Sequence, residues 1–316
     1  MSETQQSTSD SAQNSSPRPG IEVRFLIFGV GFIGIQVLVG CVVGVGFIVW
    51  LLGTERLASL SDTAALETLL PAFVVPFTAS SAVPLTALVF LWCCACRRRL
   101  DGRSWQSMGF QWPATGGATS LPAGFGLGTA AMLMSAIIVA GAGGYLWTGI
   151  QLSWMMLVMA PVLLLMAFTE ELVFRGYLLQ NLIEAGKTGS GVVFSSLVFW
   201  LMHGMNPGVW DSPVISINLF AAGIIHALAY VLSGNIWYPT LMHFGWNVTQ
   251  GLVLDIPVSG LDLPGMIGIA VADGAPDWLT GGRFGLEGSL VTTVAEVVLI
   301  LFLVRLIRHP SLRDDI

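Results

Sequence analysis

Thr169-Glu170-Glu171-Leu172-Val173-Phe174-Arg175-Gly176 sets two carboxylates and a guanidinium directly after the apolar run 154–168, with no turn signal between them. The simplest reading is one helix that continues out of that run, so ionisable groups sit inside, or at the edge of, a membrane span. Such groups cost roughly 2.5–3.5 kcal/mol each on insertion scales, and their presence there points to function. Helix geometry separates the two acids. Glu171 and Arg175 are four apart and share a face, whereas Glu170 points about 100° away and has no partner within one turn. One acid is expected to be paired, the other free for chemistry.

Composition agrees with a membrane setting. The 316 residues are 54% hydrophobic and only 10% charged, with a mean hydropathy of +0.77, outside the range of soluble globular domains. Apolar segments follow one another with short links, so the predicted fold is all-α and polytopic, a bundle of about eight transmembrane helices. The expected spans are 25–52, 69–96, 121–147, a rod beginning at 154, then 191–205, 214–232, 236–254 and 289–307. Pro71, Pro76 and Pro84 predict an irregular second span, and Gly40 with Gly44 would permit close helix contact in the first. Residues 1–20 are polar and read as a disordered tail, residues 21–309 as a single transmembrane domain with its core at about 155–251, and residues 310–316 as a second tail. The linker 100–119, with Trp105, Phe110 and Trp112, suits an interfacial segment. The long loop 255–288 has no legible role.

Charge along the chain gives the topology. Arg18 and Arg24, then Arg97, Arg98, Arg99 and Arg103, then Arg175 and Lys187, then Arg305, Arg308 and Arg313 mark alternate span ends. The opposite loops hold Asp62, Glu67, Asp211, Asp255, Asp262, Asp273 and Asp277. By the positive-inside rule both termini are cytoplasmic and the number of spans is even, as for a multi-pass protein of the cell membrane. No basic patch with interleaved aromatics occurs, so nucleic acid is not an expected partner. Cys41 and the group Cys93, Cys94 and Cys96 lack a second pair that would complete a metal or redox site, and read as small apolar residues in a reducing compartment.

Two further polar pairs lie in predicted spans at helical spacing. Phe199 and His203 share one face of the fifth span, and His243 and Asn247 one face of the seventh; in hydrocarbon such faces must turn toward the bundle. Counting about 1.5 Å per residue puts Glu170 and His243 in the cytoplasmic half of the bilayer and His203 nearer its middle. His226 has no spaced companion and reads as structural, as does the lone Glu296. His309 falls in the tail.

In that order, Glu170-Glu171-x-x-x-Arg175, Phe199-x-x-x-His203 and His243-x-x-x-Asn247 resemble the three motifs of the CAAX protease and bacteriocin-processing (CPBP) intramembrane endopeptidases. Flanking text such as Phe174-Arg175-Gly176-Tyr177-Leu178 and Gly234-Asn235-Ile236-Trp237-Tyr238-Pro239 is similar to bacterial members. His226 stands where relatives are expected to carry a small residue. The resemblance implies an endopeptidase acting on a peptide or membrane-protein substrate at the bilayer. It makes Glu170 the general base on a water with His203 as its partner, His243 and Asn247 the oxyanion donors, and Arg175 the group that holds Glu171. Two imidazoles and a carboxylate also describe a zinc site built from His203, His243 and Glu170, in which metal would activate the water; the reading favours glutamate-activated water. From a different class, the competing hypothesis is a membrane scaffold or immunity protein that binds a peptide without cutting it. A small transporter is disfavoured, because no inverted halves are visible.

Overall fold

The computed structural model describes residues 18–54, 63–112, 119–309 and 311, with the backbone alone over 63–78. The polar tails expected at 1–20 and 310–316 lie almost wholly outside these residues. Among the described residues, six helices are long and apolar enough to cross a membrane, in keeping with the all-α polytopic reading.

The first two helices, α1 (Ile21–Gly53) and α2 (Thr63–Arg99), lie antiparallel. α1 is apolar on every side and buries little beyond Phe28, Phe32 and Leu51, as a lipid-facing span does. Its contact with α2 is set by Trp92, whose indole N–H donates to Phe28 O at 3.0 Å. α2 is continuously helical from Thr63 to Arg99, through Pro71, Pro76 and Pro84. Next, α3 (Leu121–Gly141) starts at Ser120, whose hydroxyl accepts from Ala123 N, with a proline in the first turn, a standard N-terminal cap.

The third span ends earlier than expected. The chain leaves the helix at Gly141, Gly143 has φ +80°, and Tyr145–Ile150 forms strand β1 instead of continuing to Trp147. β1 pairs antiparallel with β2 (Ile267–Val271), Tyr145 opposite Val271 and Ile150 opposite Ile267. Apolar content alone extended the predicted helix; the glycine cluster ends the real one.

α4 (Met155–Glu171) runs through π turns at Leu172–Leu179 into α5 (Gln180–Glu184), giving a rod of 30 residues. α6 (Thr188–Met202), α7 (Pro213–Ser233) and α8 (Trp237–Asn247) follow; α8 continues in π turns at Val248–Val253. After β2 come the single turn α9 (Asp277–Thr280) and the last span α10 (Leu290–Arg308). The fifth and seventh expected spans, 191–205 and 236–254, are helical over 188–205 and 237–253, about 27 and 25 Å of rise, just under the length of the shortest of the six longer spans. α8 packs against α3, α4 and α7, so it fills the interior and need not match the bilayer's thickness.

Small residues let α3 and α8 touch backbone to backbone. A Cβ on Gly128 would lie 2.0 Å from Met242 O, and one on Gly124 would lie 2.8 Å from Tyr238 O. Gly40 and Gly44, expected to serve close contact in α1, have nothing within 4 Å of a Cβ position among the described residues. Their stretch of α1 faces outward, where a small side chain approaches no neighbour.

One end of the bundle carries a buried ion network that sets the register of three helices. Arg97 is fully buried; it pairs with Asp101 at 3.3 Å and with Glu184, and donates to Asn181 at 3.2 Å. Arg24 reaches the same Asp101 at 3.1 Å and the same Asn181 at 3.3 Å. Glu170 lies eleven residues along the rod from Asn181, about 16 Å deeper. This puts the acids near the middle of the 30-residue rod, which ends at Glu184, just before Gly186 with its φ of +72°.

At the opposite end the loop between α8 and α10 folds back over the bundle, and its segment 258–263 dips inward. Ser259, one of two non-glycine residues with positive φ among the described residues (+50°; Asp255 is +53°), is held on both sides. Its N–H and hydroxyl donate to Glu287 at 2.6 and 2.8 Å, and its carbonyl accepts from Asn206 at 3.1 Å. A left-handed conformation at a non-glycine residue persists where neighbours over-determine it.

Candidate active site

The mid-rod acids divide as helical spacing predicts. Arg175 and Glu171 are completely buried and pair at 3.1 Å, and Arg175 also donates to Gly223 O on α7 at 2.8 Å. The Arg175 guanidinium lies 4.8 Å from the centre of the Phe199 ring, within cation–π range. Glu170, on the neighbouring face, turns into a cavity of about 230 Å³. Its Oε2 is buried and has no hydrogen-bond partner among the described residues.

His203 and His243 come to that same oxygen from different helices. His203 closes α6 and His243 lies in the middle of α8; each Nε2 is 4.0 Å from Glu170 Oε2. Both rings are oriented from behind. His203 Nδ1 is 2.8 Å from Phe199 O and His243 Nδ1 is 3.0 Å from Glu171 Oε1. A carbonyl and a carboxylate can only accept, so each Nδ1 carries hydrogen and each Nε2 faces the cavity. Glu171 therefore has two tasks, as counter-ion to Arg175 and as acceptor for His243. Asn247, one turn after His243, also lines the cavity. The structure thus brings Glu170, Glu171, Arg175, His203, His243 and Asn247 into one constellation.

His226, read from sequence as structural, sits directly behind this group. Its ring stacks on that of His243 with centroids 4.6 Å apart and planes 27° from parallel, and its Nδ1 is buried. It does not line the cavity.

The spacing bears on zinc. The donor types suit it, but two ligands on a tetrahedral zinc lie about 3.3 Å apart, given bonds of about 2.0–2.1 Å. Glu170 stands 4.0 Å from either imidazole. A water with ordinary hydrogen bonds of about 2.8 Å spans that gap, whereas a zinc ion held by His203, His243 and Glu170 would draw the carboxylate and the imidazoles about 0.7 Å closer together. Among the described residues Glu171, His226 and His243 also bring ligand atoms within 4.8 Å of one another. There Glu171 Oε1 is shared by Arg175 and His243 while Oε2 has no partner among the described residues, and the buried Arg175 guanidinium 3.1 Å from Oε1 opposes a second cation.

Sequence reasoning missed three contributors to the cavity wall. Segment 258–263 supplies Val258, Ser259, Leu261, Asp262 and Leu263, Asn206 comes from the turn after His203, and α1 contributes Phe32 and Gln36. No motif marks the loop. Gln36 did carry a signal, since it is the single strongly polar side chain between Arg24 and Gly53.

Residues 151–249 match the family model described as type II CAAX prenyl endopeptidase Rce1-like. The match covers all three motifs, Glu170 to Asn247, and agrees with the resemblance drawn from them. No curated protein and no solved structure matches the chain.

Proposed function

We propose that this multi-pass membrane protein is an intramembrane endopeptidase in which Glu170 activates a water for attack on a peptide bond. The observation that carries the reading is the buried, unpartnered Oε2 of Glu170 at 4.0 Å from two imidazole nitrogens, a site with room and polarity for one ordered water. The match to a CAAX endopeptidase family over residues 151–249 supports the reaction class.

The steps follow from the geometry. A water donates one hydrogen to Glu170 Oε2 and is steadied by His203 Nε2. Its oxygen attacks the substrate carbonyl carbon as Glu170 takes the proton. The tetrahedral oxyanion accepts from the Asn247 carboxamide and from His243 Nε2. Because His243 already spends Nδ1 on Glu171, donation from Nε2 requires its cationic form, with Glu171 at 3.0 Å as counter-ion. Glu170 then gives its proton to the leaving nitrogen as the C–N bond breaks. Arg175 holds Glu171 in place, and Glu171 in turn fixes the ring that faces the substrate.

The depth of the site and the apolar cavity wall suit a membrane-borne peptide. A prenylated CAAX peptide is the first class to assay; leader peptides and segments of membrane proteins are the next. The basic end of the bundle is assigned to the cytoplasm, with both termini there. The test is to incubate the purified protein with an internally quenched farnesylated CAAX peptide and identify products by mass spectrometry. A cut at one peptide bond, lost in Glu170→Gln, is expected. Peptide bound without product, and bound equally by Glu170→Gln and His203→Ala, would instead establish the scaffold reading.

A further inference from the structure

We propose that Gln36 is a substrate-binding residue, its carboxamide hydrogen-bonding the main chain of the peptide beside the bond that Glu170 attacks. This deepens, and rests on, the endopeptidase reading. Three independent observations place the residue. The first is its setting: an amide in an otherwise apolar 25–53 stretch is costly in hydrocarbon unless it finds a partner. Gln36 has no hydrogen-bond partner among the described residues and lines the cavity with Glu170, His203, His243 and Asn247.

The second is orientation. Phe28, Phe32 and Gln36 are spaced by four and share the inward stripe of α1. Phe28 stacks on Tyr177 of the central rod at 3.9 Å and accepts from Trp92 through its carbonyl, while Phe32 is buried. These contacts fix the rotation of the helix, so Gln36 faces the cavity and not the bilayer. The third is depth. The bond from Arg24 to Asn181 pins α1 to the rod. From it Gln36 is twelve residues along α1 and Glu170 eleven along the rod, about 18 and 16 Å respectively. The amide and the base lie at one level on facing walls.

The chemistry of the occupant follows from the group. A carboxamide offers a donor and an acceptor side by side, the complement of the N–H and C=O of a peptide unit. An acyl or prenyl chain has nothing to bond to it. The remaining walls beside it, Phe32, Met159, Leu163 and Met166, are apolar, so the peptide main chain is the polar partner that a membrane-borne substrate brings.

Gln36→Met keeps length and shape and removes the amide. With the quenched farnesylated peptide its KM is expected to rise about tenfold, the loss of one or two hydrogen bonds, with kcat within about twofold of wild type, the pattern of lost ground-state binding. In a Glu170→Gln background, a photo-crosslinking benzoylphenylalanine at position 36 is expected to capture the peptide, and one at the outward-facing Val37 to capture lipid. Unchanged KM in an active Gln36→Met variant, or lipid adducts alone at position 36, overturns the assignment. A wild type that yields no product while position 36 captures peptide sinks the endopeptidase reading and keeps Gln36 as a peptide contact. Neither product nor adduct removes both.

Discussion

Removing the charge from Glu171 should separate the two tasks assigned to it. Its Oε1 accepts from Arg175 at 3.1 Å and from His243 at 3.0 Å, all three residues being buried. Breaking a buried pair from one side leaves an uncompensated charge and costs about 3–5 kcal/mol, whereas replacing both partners with neutral groups costs far less. Glu171→Gln and Arg175→Met are each expected to destabilise the fold by that amount. The double variant should recover most of it, giving a coupling of at least about 2 kcal/mol in the cycle. Activity should not recover with it. His243 Nδ1 then faces a neutral carboxamide, the cationic ring loses its counter-ion, and kcat is expected to stay down on the order of a hundredfold, the scale of a lost oxyanion donor. Stability would be read by unfolding in mixed micelles and activity by peptide cleavage, on the same four proteins. Additive stability losses would refute the buried pair. Full activity in the double variant would refute the link from Glu171 to His243.

The other predictions concern the frame around the site. Burial raises the Glu287 carboxyl above its usual range, against the opposing effect of the two bonds from Ser259. A group raised on folding contributes stability that is full below its unfolded value and lost as pH rises through its folded one. The wild type should therefore lose stability relative to Glu287→Gln on going from about pH 4 to pH 8; a constant difference between them would contradict the assignment. Gly128→Val puts side chain where Met242 O now lies 2.0 Å from the Cβ position, so it should push α8 and its His243 away from α3, out of register with Glu170, and abolish cleavage; an active Gly128→Val variant would show that the α3–α8 contact does not position the site. Exhaustive treatment with a zinc chelator should leave kcat unchanged and the purified protein should hold zinc well below one equivalent; loss of activity restored by zinc would reverse the reading of the 4.0 Å spacings.

What the sequence made legible was whatever a single helix decides. Glu171 and Arg175 could be paired on paper because four residues of one rod bring them together, and the mid-rod π turns begin only after Glu171. The meeting of His203, His243 and Glu170 needed three rods, and only the family motifs pointed to it. Hydropathy extended the third span to Trp147, since it weighs apolar content and not the glycines that stop the helix and free Tyr145–Ile150 to pair with Ile267–Val271. Gln36 and Ser259 went unnoticed for a related reason. Each matters through a cavity whose other walls lie more than a hundred residues away in one direction or dozens in the other, and no local pattern encodes that. Among the described residues no backbone approaches the glycine pair in α1, and a small residue serves packing only where one does.

The central claim is that Glu170 supplies the base. It is tested most directly by the single-turnover cleavage rate of folded Glu170→Gln against wild type, with saturating farnesylated peptide and product counted by mass. The account predicts a fall of at least about a thousandfold with peptide binding retained. A rate within a few-fold of wild type would contradict it.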